Sequence, residues 1–192
     1  MDQKSCGRKG DRLMSAEQVK MIVEKNRGKF NRKDIKLLKQ QEKLIHFDSF
    51  GSVDAMALGV ILARLCAEYP EQLAVVITRE SDQTVIYQYV MDEKKKRNLN
   101  YAAAKRNAVL ASGHSSLLAL AEACEGTIPE VLLKEDEEIM LVGGAFPVFV
   151  NGVHTATIAV SGLHEGKDHE IIVRALEEYL DIDLPVYKGY LV

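Results

Sequence analysis

No apolar run in this 192-residue sequence approaches the roughly 18–20 residues of a membrane-crossing helix, so no helical span is expected. Cysteine is scarce. Cys6, Cys66 and Cys124 are odd in number and widely spaced, with no CxxC pair. That argues against a disulfide framework or a zinc knuckle and suits a reducing cytosol. Residues 1–11 are polar and lack the apolar stretch of a secretory signal, so a cytoplasmic location is expected. The common enzyme signatures are missing as well. There is no GxxxxGK[ST] phosphate loop, no GxGxxG after a strand and no GxSxG elbow. His164-Glu165-Gly166-Lys167 begins like the zinc-protease HExxH, but Asp168 stands where the second histidine belongs, and His169 comes one place late. One residue turns a helix by about 100°, which carries that imidazole off the shared face.

What is present is ordinary globular material: 47% hydrophobic and 28% charged residues, which excludes wholesale disorder. The length suits one domain, 15–192, carrying a helical extension over 15–42 and a disordered arm over 1–14. Charge is uneven. Residues 1–43 hold 13 Lys/Arg against 6 Asp/Glu, a net of +7, and the remainder is net −10. A basic arm on an acidic body could meet nucleic acid or an anionic surface, or dock on an acidic face of its own or a neighbouring subunit. With few aromatics to stack bases and no reading motif, a nucleic-acid partner is not expected.

Ser15 to Gln18 reads as a capping box for a helix reaching Arg27, with Gly28 as its stop. A second helical stretch, 32–41, leads to a strand near 43–48. Ser52 opens a helix over 53–68, whose Val53, Met56, Ala57, Val60, Ile61 and Leu65 follow the helical apolar spacing. Leu73 to Thr78 reads as a strand, Glu80 to Asp82 as a turn, and Thr84 to Val90 as the returning strand. A helix follows from Asn98 or Asn100 to Ala111, and another after Ser115. Strands over 146–150 and 153–160 flank Asn151-Gly152, a type I′ turn signal. Pro147 has no N–H, so its strand should lie at an edge or carry a bulge. The last helix, 167–180, buries Ile171, Ile172, Ala175, Leu176, Tyr179 and Leu180. Two hairpins without repeated βαβ units predict an α+β fold, a mostly antiparallel sheet of about five strands packed by helices.

Three blocks of the C-terminal half, Gly143-Gly144-Ala145-Phe146-Pro147-Val148, Thr157 to Leu163 and Asp168-His169, resemble one family. Phe47 to Phe50, Asp54-Ala55, Leu58-Gly59, Lys105 to Asn107 and Ser115-Ser116 support the match, which covers roughly 38–180. The sequence resembles the haem-degrading-domain superfamily of GlcG, HbpS and the C-terminal domain of PduO, in its branch of small uncharacterised cytosolic proteins. That resemblance implies a layered, profilin-like α/β fold, homo-oligomers and small-ligand binding, with haem or related tetrapyrroles bound by some relatives. It implies no established reaction.

On the helix from Asn98, Arg106 falls within an apolar stripe of Leu99, Ala102, Ala103, Val109 and Leu110. A buried guanidinium must be paired, by a structural carboxylate or an anionic ligand. Lys105 sits at the stripe's edge as a snorkelling neighbour. Asp168 is a helix cap, worth about 0.5–2 kcal/mol, or an acid/base group. His169 is a proton carrier, a metal ligand with His164, or a subunit contact. His154 shares a strand face with Ala156, Ile158 and Val160 and reads as a satisfied, half-buried histidine. Gly143 and Gly144, before Phe146, either let a ligand approach the backbone or make a tight strand entry. Lys105, Arg106, Gly143, Gly144, Phe146 and His169 are thus the candidate ligand contacts, in a pocket near the sheet edge and the starts of the 98–111 and 167–180 helices. The expectation is a small-ligand-binding oligomer. The rivals are an enzyme using Asp168 and His169 with Arg106 as anion clamp, and an interaction module without a small ligand.

Overall fold

A computed structural model describes residues 16–93, 96–134, 137–164 and 166–188. The arm over 1–14 and the Ser15 cap lie outside them. Six helices and four strands follow in the order α1 (Ala16–Asn26), α2 (Arg32–Leu44), α3 (Ser52–Cys66), β1 (Ala74–Arg79), β2 (Thr84–Val90), α4 (Lys96–Ser112), α5 (Ser116–Glu125), β3 (Ala145–Val150), β4 (Val153–Ser161) and α6 (Lys167–Leu180). A 3₁₀ turn, Glu130–Leu132, precedes β3.

The sheet runs β2-β1-β4-β3, and every neighbouring pair is antiparallel. Among the described residues four strands form rather than the expected five or so. The expected strand over 43–48 is spent on the end of α2, and only Phe47 bridges Val150 beside β3. Asn151 and Gly152 take φ of 50° and 79°, the left-handed pair that a type I′ turn needs. Pro147 sits on the edge strand β3, where its missing N–H costs no central ladder bond. The pairing then slips: Val148 faces Ala156, but Phe149 faces His154, leaving Thr155 as the extra residue of a bulge.

Alternate strand residues face two layers. Val75, Ile77, Phe146, Ile158 and Val160 pack with α3 and α6. Ala145 and Ala159 pack with Ala102 and Val109 of α4 on the other face. Beyond α4, α5 is buried along nearly its whole length under Val19 and Val23 of α1 and Leu38 of α2. An Asn31–Asp34 capping box starts α2.

Two helices turn differently from their predicted stripes. In α3 the buried side is Ala55, Leu58, Gly59, Leu62 and Leu65, while Val53, Met56 and Val60 are 74%, 57% and 60% exposed. The helix is apolar on both sides, so spacing alone does not choose a face. Gly59 chooses it, since a Cβ there would lie 2.5 Å from the Tyr87 ring. In α4 the buried residues are Ala102, Ala104, Lys105, Ala108 and Val109, and Leu110 is exposed. Ala102 and Val109 of the predicted stripe do meet the sheet, while Ala104 and Ala108 pack away from it, against Met140 and Val142 and against α5, and Lys105 beside them is buried as well.

Candidate functional site: a buried ion pair at the end of the sheet

The starts of α4 and α6 meet the chain entering β3. Lys105, on the third turn of α4, is buried rather than snorkelling. Its Nζ donates to Asp168 Oδ2 at 2.7 Å and to the Val160 carbonyl at 3.0 Å. The two side chains are 4% and 2% exposed. Asp168 Oδ1 accepts the Leu163 N–H at 3.0 Å. Burial pushes the Asp168 carboxyl upward, and the Lys105 ammonium with the Leu163 and Gly162 N–H groups pulls it back. Three donors around one carboxylate make this more than a helix cap.

Gly144 makes the meeting possible. Its φ is +120°, and a Cβ there would fall 2.7 Å from Asp168 Cβ, Lys105 Nζ and the Val160 oxygen. Its carbonyl accepts the Val160 N–H at 2.7 Å. The residue is thus a tight strand entry that leaves room for the ion pair. Ser116 Oγ, from α5, takes the Ala145 N–H at 2.9 Å and steadies the same segment.

Above the pair opens a cavity of about 430 Å³, lined among others by Arg97, Tyr101, Lys105, Met140, Gly143 and Asp168. It lies at the end of the central strand β4, beside the starts of α4 and α6, and not at a sheet edge. Arg97, Tyr101 and Met140 carried no motif, and only the fold brings them in.

The remaining candidates lie elsewhere. Arg106 forms a bidentate pair with Glu80, with side chains 15% and 8% exposed, and Thr157 Oγ1 donates to Glu80 Oε1 at 2.5 Å. The buried guanidinium therefore has its structural carboxylate, which was read in the sequence only as a turn residue. Arg106 lines a separate groove of about 200 Å³ between α4 and β2. His169 is buried, with Nε2 against Gln41 Oε1 at 2.9 Å, and lines a third cavity of about 100 Å³. Burial alone holds its pKa down at about 4, so its ring is neutral at pH 7. Phe146 belongs to the core under α6, its ring centroid 5.9 Å from that of His169, and not to a cavity wall. The acid/base pair and the anion clamp of the enzyme reading thus do not converge on one space.

His164 is exposed and His169 buried, so the two share no metal site. Among the described residues no group of three or more His, Cys, Asp or Glu could hold a metal ion. His154 does not share a face with Ala156. The bulge at Thr155 reverses the alternation, and His154 Nε2 meets Thr157 Oγ1 at 3.0 Å. The Cys66 and Cys124 thiols are buried and pushed up to about 12 and about 11, which keeps them protonated and unreactive.

Residues 50–177 match the family described as haem degrading protein HbpS-like. The chain belongs to that family. Proteins similar to it include a UPF0303 protein of Streptomyces coelicolor, 32% identical over 146 residues, covering 74% of this chain and 91% of that protein. A UPF0303 protein of Azotobacter vinelandii is 32% identical over 152 residues, covering 78% and 90%. Among solved structures the Ybr137w protein superposes with a TM-score of 0.69 at 18% identity, covering 88% of this chain and 99% of that one. A PduOC:haem complex gives 0.56 at 14% identity, covering 71% and 98%. At those identities the structures show a shared fold. The HbpS-like match begins at residue 50, so α1 and α2 lie outside it.

Proposed function

We propose that this HbpS-like chain is a cytosolic small-ligand-binding module that works as a homo-oligomer, with its ligand in the 430 Å³ cavity above Lys105 and Asp168. The observation that carries the reading is the Lys105 ammonium in the cavity wall. It has three N–H donors, and the two acceptors it meets among the described residues are Asp168 and Val160. The remaining donor suits a carbonyl or carboxylate oxygen of a ligand. The cavity volume falls in the range of pockets that enclose metabolite-sized molecules, roughly 300–1,000 Å³.

Haem or a related tetrapyrrole is the ligand class supported by the family and by the haem complex among its neighbours. The lining fits it at the level of donor type. Tyr101 and Met140 belong to residue types that ligate haem iron, and Arg97 suits a carboxylate. Absorbance titration of the purified protein with haemin, beside native mass spectrometry of whatever copurifies, tests this. A saturable Soret shift that changes in Tyr101→Phe or Met140→Leu but not in Arg106→Met is expected. No saturable shift with haemin would remove the tetrapyrrole, and a native mass equal to a whole multiple of the 21.4 kDa chain, with nothing copurified, would leave the cavity without a ligand.

The oligomer is supported by α3, whose Val53, Met56 and Val60 form an exposed row, and by the open edge of β2 with Val85 exposed. A second copy would cover such a self-complementary face. Light scattering after size exclusion should give at least a dimer, and Val60→Glu should lower the mass. About 21 kDa for the wild type at micromolar concentration would overturn it.

A further inference from the structure

His169 is 1% exposed, and its Nδ1 has no hydrogen-bond partner among the described residues. The other ring nitrogen is committed. Gln41 Nε2 donates to the Pro185 carbonyl at 2.7 Å, which turns Gln41 Oε1 toward the imidazole at 2.9 Å. An oxygen there requires a proton on Nε2, so the neutral ring keeps a bare lone pair on Nδ1. Buried polar atoms are nearly always satisfied, and an orphan one calls for a partner the protein does not supply.

His169 lines the cavity of about 100 Å³ between α2, α6 and the chain over 182–188, with Gln41, Val173, Glu177, Val186 and Tyr187. The Tyr187 hydroxyl is a second buried polar atom without a partner among the described residues. The segment over 182–188 is tied down at both sides: Leu184 N–H donates to Glu177 Oε1 at 2.8 Å, and Tyr187 stacks on Phe30 at 6.2 Å. These contacts fix that wall of the space among the described residues. The space equals about three waters at roughly 30 Å³ each.

The charges around it select the occupant. Arg174, in the wall, is drawn away to Glu68 at 2.7 Å. Glu170 also lines the space and has no cationic partner among the described residues, and Glu177 keeps one carboxylate oxygen beyond its bond to Leu184. A bare imidazole nitrogen and two carboxylates favour a donor with positive charge and repel an anion.

We propose that this cavity is a second ligand site, taking a small primary ammonium group that donates to His169 Nδ1 and is balanced by Glu170 and Glu177. The proposal is independent of the haemin site. The test is titration of the full chain with ethylammonium chloride, with potassium chloride as control, following the His169 ring nitrogens by ¹⁵N NMR. A saturable shift confined to Nδ1 is expected, with Nε2 still protonated. Glu177→Gln should weaken the amine roughly tenfold, the loss of one charge-assisted hydrogen bond. Tyr187→Phe should weaken it several-fold. The wild type reports directly, so folding of the variants does not decide the result. The same Nδ1 response to potassium chloride, or none to either salt, would mean that the cavity holds water only, and would overturn the proposal.

Discussion

Lys105 and Arg106 are neighbours in the chain, yet Lys105 pairs with Asp168 of α6 and Arg106 with Glu80 in the β1–β2 turn. Removing either cation strands a buried carboxylate, which costs about 3–5 kcal/mol where the partner is fully desolvated. Lys105→Met should lose that much in urea unfolding, while the double variant Lys105→Met/Asp168→Leu should recover most of it. Single and double variants of equal stability would mean that the pair is not desolvated. Arg106→Met strands Glu80 in the same way and should destabilise the ligand-free protein. His169 gives a pH dependence of definite sign. Its folded pKa lies near 4, below the ordinary 6.5, so in that window the unfolded chain binds a proton that the folded chain refuses. Stability should therefore fall as pH drops from 6.5 to 4, by about 3 kcal/mol in all, and His169→Gln should flatten the decline in chemical unfolding curves. His114 works the other way. Its hydrogen bond to Glu42 raises its pKa, so its contribution is present below the unfolded value and lost as pH rises through the folded one. At this scale the sequence singled out Arg106, whereas the more deeply buried cation is Lys105. An apolar stripe marked Arg106, and Ala102 and Val109 of that stripe do pack on the sheet, whereas Lys105 is buried because Asp168 and the Val160 carbonyl meet it from the other side of Gly144. Glu80 and Gln41 carried no signal, because their roles come from residues 26 and 128 positions away.

Among the elements, both hairpins, the α3–β1 succession and the last helix were legible, because turn chemistry and β-branched runs act locally. The strand near 43–48 was not. Its residues have the right composition but no free edge to pair with beyond the single bridge to Val150. The face of α3 was equally hidden, since Gly59 and Tyr87 meet only once β2 is in place. That contact is testable. Gly59→Ala should lower the melting temperature despite the better helix propensity of alanine, and adding Tyr87→Leu should recover much of the loss. If Gly59→Ala raises the melting temperature, the ring does not pack there.

For the whole molecule, the family match covers residues 50–177, while α1 and α2 add a layer over α5 outside it. The remaining consequence concerns Gly144. Helices α4 and α6 lie on opposite faces of the sheet, yet Lys105 of one grips Asp168 of the other through the space that glycine leaves open. A rivet passes through the end of the sheet and clamps its two coverings together. Shear of one layer over the other must break a buried charge pair, so the layers should open to solvent as one unit. Hydrogen exchange should show the middle of α4 and the start of α6 sharing a single opening free energy, and Gly144→Ala should split them into two.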